Sequence, residues 1–200
     1  MKKTLKLRNV LVSTLMAAGL ASLAPAAMAN LLTNGGFETG TFSGWTQGGN
    51  TGATGVSSSA IYVQSGAFGA ALGPVGSDGI LSQSFSTDVG AEYRLTFWLR
   101  SDGYTVNDFS AAVNSTVLYS DVNIGVQAYK EYAYNFMGTG SDSVTFTFRN
   151  DPGFLSLDTV SVDKIADPQA AVPEPASLAL IGLGLAGIAQ RRRRARAANV

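Results

Sequence analysis

Ala91-Glu92-Tyr93-Arg94-Leu95-Thr96-Phe97-Trp98-Leu99-Arg100 alternates in polarity from end to end, with Tyr93, Leu95, Phe97 and Leu99 on one side and Arg94, Thr96, Trp98 and Arg100 on the other. Successive side chains of an extended chain point to opposite faces, so a period of two marks a half-buried strand of an antiparallel sheet. Ser143-Val144-Thr145-Phe146-Thr147-Phe148-Arg149 repeats the pattern. Working outward, Gly, Ser, Asn and Asp punctuate the chain from Asn30 to about Ile165. Further β-rich runs fall at Ala60–Gln64, Ala67–Leu72, Ile80–Thr87, Phe109–Tyr119, Tyr129–Met137 and Phe154–Ile165. Strands at this spacing, about eight of them, predict an all-β chain folded as a β-sandwich, and no long amphipathic helix competes.

One run changes parity. In Phe154-Leu155-Ser156-Leu157-Asp158-Thr159-Val160-Ser161-Val162 the apolar positions are 155 and 157, then 160 and 162. A β-bulge at Asp158-Thr159 would keep both pairs inward and re-aim Asp158.

The 200 residues balance 14 basic against 14 acidic side chains, but the balance is local to the ends. Lys2, Lys3, Lys6 and Arg8 open the chain, and Arg191 to Arg194 with Arg196 close it. Between Asn30 and Val172 only Arg94, Arg100, Lys130, Arg149 and Lys164 are basic, against 13 acidic residues, a formal charge of −8. Nucleic-acid binding needs clustered cations, so this middle is not built for it. Cysteine and histidine are both absent. That excludes a thiolate nucleophile, a Ser-His-Asp arrangement and an ordinary zinc site, and leaves only oxygen ligands for a metal.

Residues 1–29 have the three parts of a secretory signal peptide: a basic start, an apolar stretch from Val10 to about Leu23, and Ala27-Met28-Ala29 as a small-x-small cleavage site. Cleavage between Ala29 and Asn30 is expected. The alternative, an uncleaved anchor, would need an apolar stretch nearer the ~20 residues of a membrane span.

The far end reads Val172-Pro173-Glu174-Pro175, then an apolar segment over 176–190, then Arg191, Arg192, Arg193 and Arg194. These three pieces together resemble the PEP-CTERM family of sorting tails, which places the sorting signal at 172–196 after a linker at 168–171. A helix over 176–190 would be about 22 Å long, short for a hydrocarbon core of roughly 30 Å. The arginines are expected to hold the C-terminus on the cytoplasmic side. The two prolines keep the box extended and open to a processing enzyme. The resemblance implies a membrane-embedded exosortase as partner, an inner-membrane intermediate held by this transmembrane helix, and release to the cell surface or extracellular matrix. A permanent C-terminal anchor is the alternative.

The segment 30–167 resembles galactose-binding-like jelly rolls among carbohydrate-binding modules. The likeness is carried by Asn30-Leu31-Leu32-Thr33-Asn34-Gly35-Gly36-Phe37-Glu38-Thr39-Gly40 with Phe42-Ser43-Gly44-Trp45, by Gly79–Phe85 and Leu95–Leu99, and by the closing Leu157-Asp158-Thr159-Val160-Ser161-Val162. It implies a jelly-roll fold and offers Glu38 and Asp158, with nearby carbonyls, as a candidate structural calcium site; the alternative is that Glu38 caps a turn and Asp158 satisfies the bulge, and no cofactor is required. Many relatives have two successive acids where this chain has Asp158-Thr159. For a sugar, the expected platform is the face shared by Arg94, Thr96, Trp98 and Arg100, joined by Arg149 if its strand lies beside them. Aromatic rings stack on pyranoses and guanidinium groups donate to hydroxyls. Burial of Trp98 under a loop is the competing expectation, and Trp45 is expected in the core.

These features point to an exported, non-catalytic surface or matrix protein that binds or rests among exopolysaccharide, as in a biofilm. The alternatives are an extracellular polysaccharide-active enzyme using paired carboxylates, and an ice-interacting or purely structural surface protein, for which the chain offers only Thr145-x-Thr147.

Overall fold

The computed structural model describes residues 29–168. The expected signal peptide up to Met28, the linker from residue 169 onward and the sorting signal at 172–196 lie outside the described residues. The described chain is all-β, ten strands in two five-stranded antiparallel sheets. In chain order they are β1 (Thr46–Gly49), β2 (Thr54–Ser57), β3 (Gly69–Leu72), β4 (Gly79–Ser86), β5 (Glu92–Ser101), β6 (Asn107–Val113), β7 (Thr116–Val122), β8 (Gln127–Met137), β9 (Ser141–Asn150) and β10 (Leu155–Ala166). Sheet A runs β1-β4-β9-β6-β7 and sheet B runs β2-β3-β10-β5-β8. Among the described residues no helix is long and apolar enough to cross a membrane.

The alternation read in β5 is obeyed. Tyr93, Leu95, Phe97 and Leu99 are buried between the sheets, while the residues between them are half-buried or exposed. Val144, Phe146 and Phe148 of β9 face them from sheet A. Phe97 lies at the centre, with ring centroids 5.7 Å from Phe109 and 5.4 Å from Phe146. Trp45 packs on Phe37 and Phe146, and its indole N–H donates to Asn34 O at 3.1 Å, so it is core as expected.

The parity change in β10 is a bulge. Asp158 pairs with Trp98 of β5, the next pair is Ser161 with Thr96, and Thr159 sits at φ 49° in the left-handed region. Leu155, Leu157, Val160 and Val162 are all buried. Three expected boundaries differ. The run Phe109–Tyr119 is a hairpin, because Asn114 takes φ 54° and turns the chain between β6 and β7. β1 and β2 lie outside the runs named from the sequence, yet each pairs with a neighbour, β4 and β3. Ala60–Gln64 is not a strand. It belongs to segment 58–68, which lies across the outer face of sheet B.

Both ends of the described chain meet at one pole of the sandwich. Leu31 N donates to Val162 O near the end of β10, and Asn30 Nδ2 donates to Val160 O. Ala29 and Leu31 share a shallow pocket with Ser86, Thr87 and Lys164. The loops 73–78, 102–106, 123–126 and 151–154 gather at the opposite pole, linked by bonds such as Asn150 N to Pro74 O and Asp151 N to Val106 O.

Candidate functional site

The outer face of sheet B is built on β5, whose outward residues are flanked by β8 and β10 in strict register. Arg94 stands opposite Asn135 and Asp163, Thr96 opposite Ala133 and Ser161, and Trp98 opposite Glu131 and Asp158. Arg94 Nε donates to Asn135 Oδ1 at 3.0 Å, and Thr96 Oγ1 lies 2.7 Å from Ser161 Oγ. Trp98 and Arg100 are half-buried, which is neither the core position nor the open platform of the two sequence expectations. Among the described residues Trp45 has aromatic neighbours and Trp98 has none. The indole is therefore not held in place by the aromatic core.

Segment 58–68 covers the β10 side of this face. Tyr129 OH donates to Tyr62 O at 2.6 Å, and burial raises its phenol pKa, reinforced by the nearby Asp158 charge. Asp158 is fully buried, and its Oδ2 accepts the N–H groups of Gln64 (2.7 Å) and Ser65 (3.1 Å). Its Oδ1 accepts Thr159 N–H at 2.6 Å. Burial raises the Asp158 carboxyl and outweighs these three bonds, with the charge of Glu38 adding to the rise. Glu38 accepts the N–H of Ala67 with both oxygens, at 3.2 and 3.0 Å. Gly66 has φ +71°, and a Cβ there would stand 2.1 Å from Glu38 Oε1. Only glycine fits this close to the Glu38 carboxylate at a positive φ.

Both carboxylates are engaged by the protein's own backbone. A calcium ion takes six to eight oxygens, whereas both carboxylates here face backbone N–H donors of one turn. No group of three or more acidic side chains occurs among the described residues. Glu38 and Asp158 hold the turn 64–67 through these bonds. One expectation is corrected, that of Arg149. It lies on β9 in sheet A, not beside Trp98 and Arg100 in sheet B, and its Nε is 3.4 Å from Asp108 Oδ2. The condition that its strand be a neighbour of β5 is not met.

Two flanking residues escaped the sequence reading, Tyr129 and Glu131. Their signal was the parity of β8, where 129, 131, 133 and 135 share Trp98's side while Tyr132, Tyr134 and Phe136 turn inward.

Comparison with known proteins agrees with this picture at two places. Residues 171–194 match the PEP-CTERM protein-sorting motif. The fold is similar to TmCBM61 in complex with β-1,4-galactotriose, at 21% identity and a TM-score of 0.53, covering 68% of this chain and 99% of that one. It is also similar to the CBM22-1–GH10 modules of the Clostridium thermocellum endo-1,4-β-D-xylanase 10B complexed with xylohexaose, at 15% identity and a TM-score of 0.51, covering 73% of this chain and 30% of that one. A third likeness is the enzymatically active domain of bacteriophage CBA120 tailspike protein 4, at 15% identity and a TM-score of 0.52, covering 68% and 21%. No curated protein matches the chain in sequence. The chain thus carries the PEP-CTERM signal of an exported exosortase substrate, and what it exports is an all-β jelly-roll sandwich with the fold of carbohydrate-binding modules.

Proposed function

We propose that the mature protein is a non-catalytic polysaccharide binder of the cell surface or extracellular matrix, and that Trp98 and Arg100 on the outer face of sheet B contact the glycan. The observation that carries the site is the half-exposed indole of Trp98, placed on a central strand without an aromatic partner and bordered by Arg100, Glu131 and Thr96. An aromatic face with charged donors and acceptors around it is the chemistry a pyranose ring requires. The fold it shares with carbohydrate-binding modules supports the reading. So does the commitment of both deeply buried carboxylates, Asp142 and Asp158, to structural hydrogen bonds, which leaves neither placed as a catalytic acid.

In this reading the chain is cut between Ala29 and Asn30 on export. It is held at the inner membrane by the helix over 176–190 and the stop at Arg191–Arg194, processed by the exosortase near Val172–Pro175, and released toward exopolysaccharide. The glycan part is tested with the mature protein on a polysaccharide array. Trp98→Ala should weaken retention while the melting temperature changes little. Unfolding as severe as that of Leu95→Ala, about 2–5 kcal/mol for a large-to-small core change, would put Trp98 in the core and sink the site. Release of reducing sugar from any retained glycan would overturn the non-catalytic reading.

A further inference from the structure

The two sheets do not close on each other at every side. On one flank the last strands are β7 of sheet A and β8 of sheet B, which belong to different sheets and share no ladder. Side chains alone seal this flank. Leu118 and Tyr119 come from β7, and Tyr132, Tyr134 and Phe136 from β8, all partly buried against the core. Tyr132 stacks on Phe97 with ring centroids 5.3 Å apart and planes 11° apart, and Tyr119 approaches Tyr132 to 4.6 Å. Their inner faces are thus core, and the hydroxyls of Tyr119 and Tyr132 come together at the seam.

That seam is polar. Tyr119 OH lies 3.3 Å from Asp121 Oδ2 and 3.4 Å from Tyr132 OH, and Gln127 Nε2 lies 3.5 Å from Tyr132 OH. Lys130 Nζ stands 4.9 Å from the centroid of the Tyr132 ring. These separations are at or beyond the long end of a hydrogen bond, so the hydroxyls are under-used by one another. Burial raises the phenols of Tyr119 and Tyr134, which keeps both protonated and able to donate. Toward the other end the flank widens into a cavity of about 280 Å³, where Leu118, Phe136 and Met137 meet Asn114, Thr116 and Thr139. The eleven residues of β8 span about 35 Å at roughly 3.4 Å per residue, room for several sugar units end to end.

We propose that the β7–β8 flank is a second glycan-binding groove, distinct from the Trp98 face, and that its ligand is an uncharged, hydroxyl-rich pyranose chain. Partly exposed aromatic edges meet the apolar faces of the sugars, and the tyrosine hydroxyls, Gln127 and Asp121 meet their hydroxyls. The formal charge of −8 between Asn30 and Val172 disfavours a polyanion. On this flank Lys130 lies over the Tyr132 ring and Asp121 beside the Tyr119 hydroxyl, one charge of each sign.

The test is affinity electrophoresis of the mature protein through gels containing hydroxyethyl cellulose, mannan or dextran, with alginate as the anionic comparison. A Tyr119→Phe, Tyr132→Phe double variant keeps both rings and removes both hydroxyls, and melting temperatures accompany every run. Retardation by a neutral gel that falls about tenfold in the double variant at unchanged melting temperature supports the groove, as the loss of two ordinary hydrogen bonds would. Retardation abolished by Trp98→Ala and untouched by the tyrosine pair overturns the groove and leaves the Trp98 site standing. The reverse result keeps the groove and removes the Trp98 site. Retardation by alginate alone, or by none of the gels, overturns the proposal.

Discussion

The outer faces of the two sheets are made of different material. On sheet A the outward positions of β4, β9 and β6 are mostly small, Ser82, Ser84, Ser143, Thr145, Thr147, Ser110 and Ala112 aligned across the strands, with Ile80 the large apolar exception and the pair Arg149–Asp108 at one margin. On sheet B the same positions hold Arg94, Trp98, Arg100, Tyr129 and Glu131, and a segment of the chain lies over the β10 side. Both faces obey the same alternation, so their inner sides are equivalent in kind. The difference is that sheet A ends in side chains which need no cover, whereas sheet B needs its covering segment to satisfy a buried carboxylate. A polar residue in the middle of an outward row is cheap on one face and structural on the other.

The largest effect that separates the faces is expected at Asp158. Asp158→Ala leaves the N–H groups of Gln64, Ser65 and Thr159 without their acceptor in a buried site, and unsatisfied buried donors cost about 1–3 kcal/mol each. Denaturant unfolding should show a loss of about 3–5 kcal/mol after partial relaxation. Ser84→Ala on sheet A should stay within about 0.5 kcal/mol. Equal losses at the two positions would erase the distinction.

A pH titration sharpens it further, because each sheet owns one buried carboxylate and the two shift in opposite directions. Burial alone would raise Asp142, but hydrogen bonds from Thr139 Oγ1, Thr87 Oγ1, Thr139 N and Asn114 Nδ2 outweigh it and bring the carboxyl down to about 2. Its contribution, about 2 kcal/mol, is complete above the unfolded value of roughly 4 and is lost as pH falls through about 2. Asp158, raised by burial, works with the other sign: stability falls as pH rises through its elevated folded value. Asp142→Asn should therefore flatten the fall of the melting temperature between about pH 4 and pH 2. An unchanged acid slope in the variant would show that Asp142 is not the group responsible.

The smallest expected effect is a null. If Glu38 and Asp158 hold a turn and not an ion, a chelator followed by millimolar calcium should leave the melting temperature where it was, since only a ligand bound by the folded state shifts it. A rise with calcium would mean that the turn 64–67 yields its place to a cation.

How much of this could be read in the sequence depended on whether the information was local. Tyr93 to Leu99 declares its own inner face because parity is a property of one strand, and the flip at Asp158-Thr159 declares the bulge for the same reason. Ala60–Gln64 looked like a strand because its residues suit one. Its partners, Asp158 and Tyr129, are far away in the chain and supply side-chain bonds in place of a ladder. Arg149 carried the right parity and the wrong address, since nothing in a strand's composition says which sheet it joins. β1 and β2 went unread because Gly-rich segments have little strand propensity of their own and are extended by the neighbour they pair with. The tyrosines of β8 were visible one by one, but their grouping with Tyr119 needed the two sheets brought face to face.

The way the chain leaves the sandwich governs how it would carry a mechanical load. β10 is the strand that runs out to the C-terminal side, and it is flanked by β3 and β5 in the interior of sheet B. Tension between a tethered tail and a glycan gripped by β5 would drag β10 lengthwise past its neighbour. Ladder bonds from Leu155 to Ala166 would then resist together. Had the chain left through an edge strand such as β7, the same pull could open the ladder one bond at a time. A protein leashed through β10 is loaded in shear, the direction in which forced unfolding is slowest to begin.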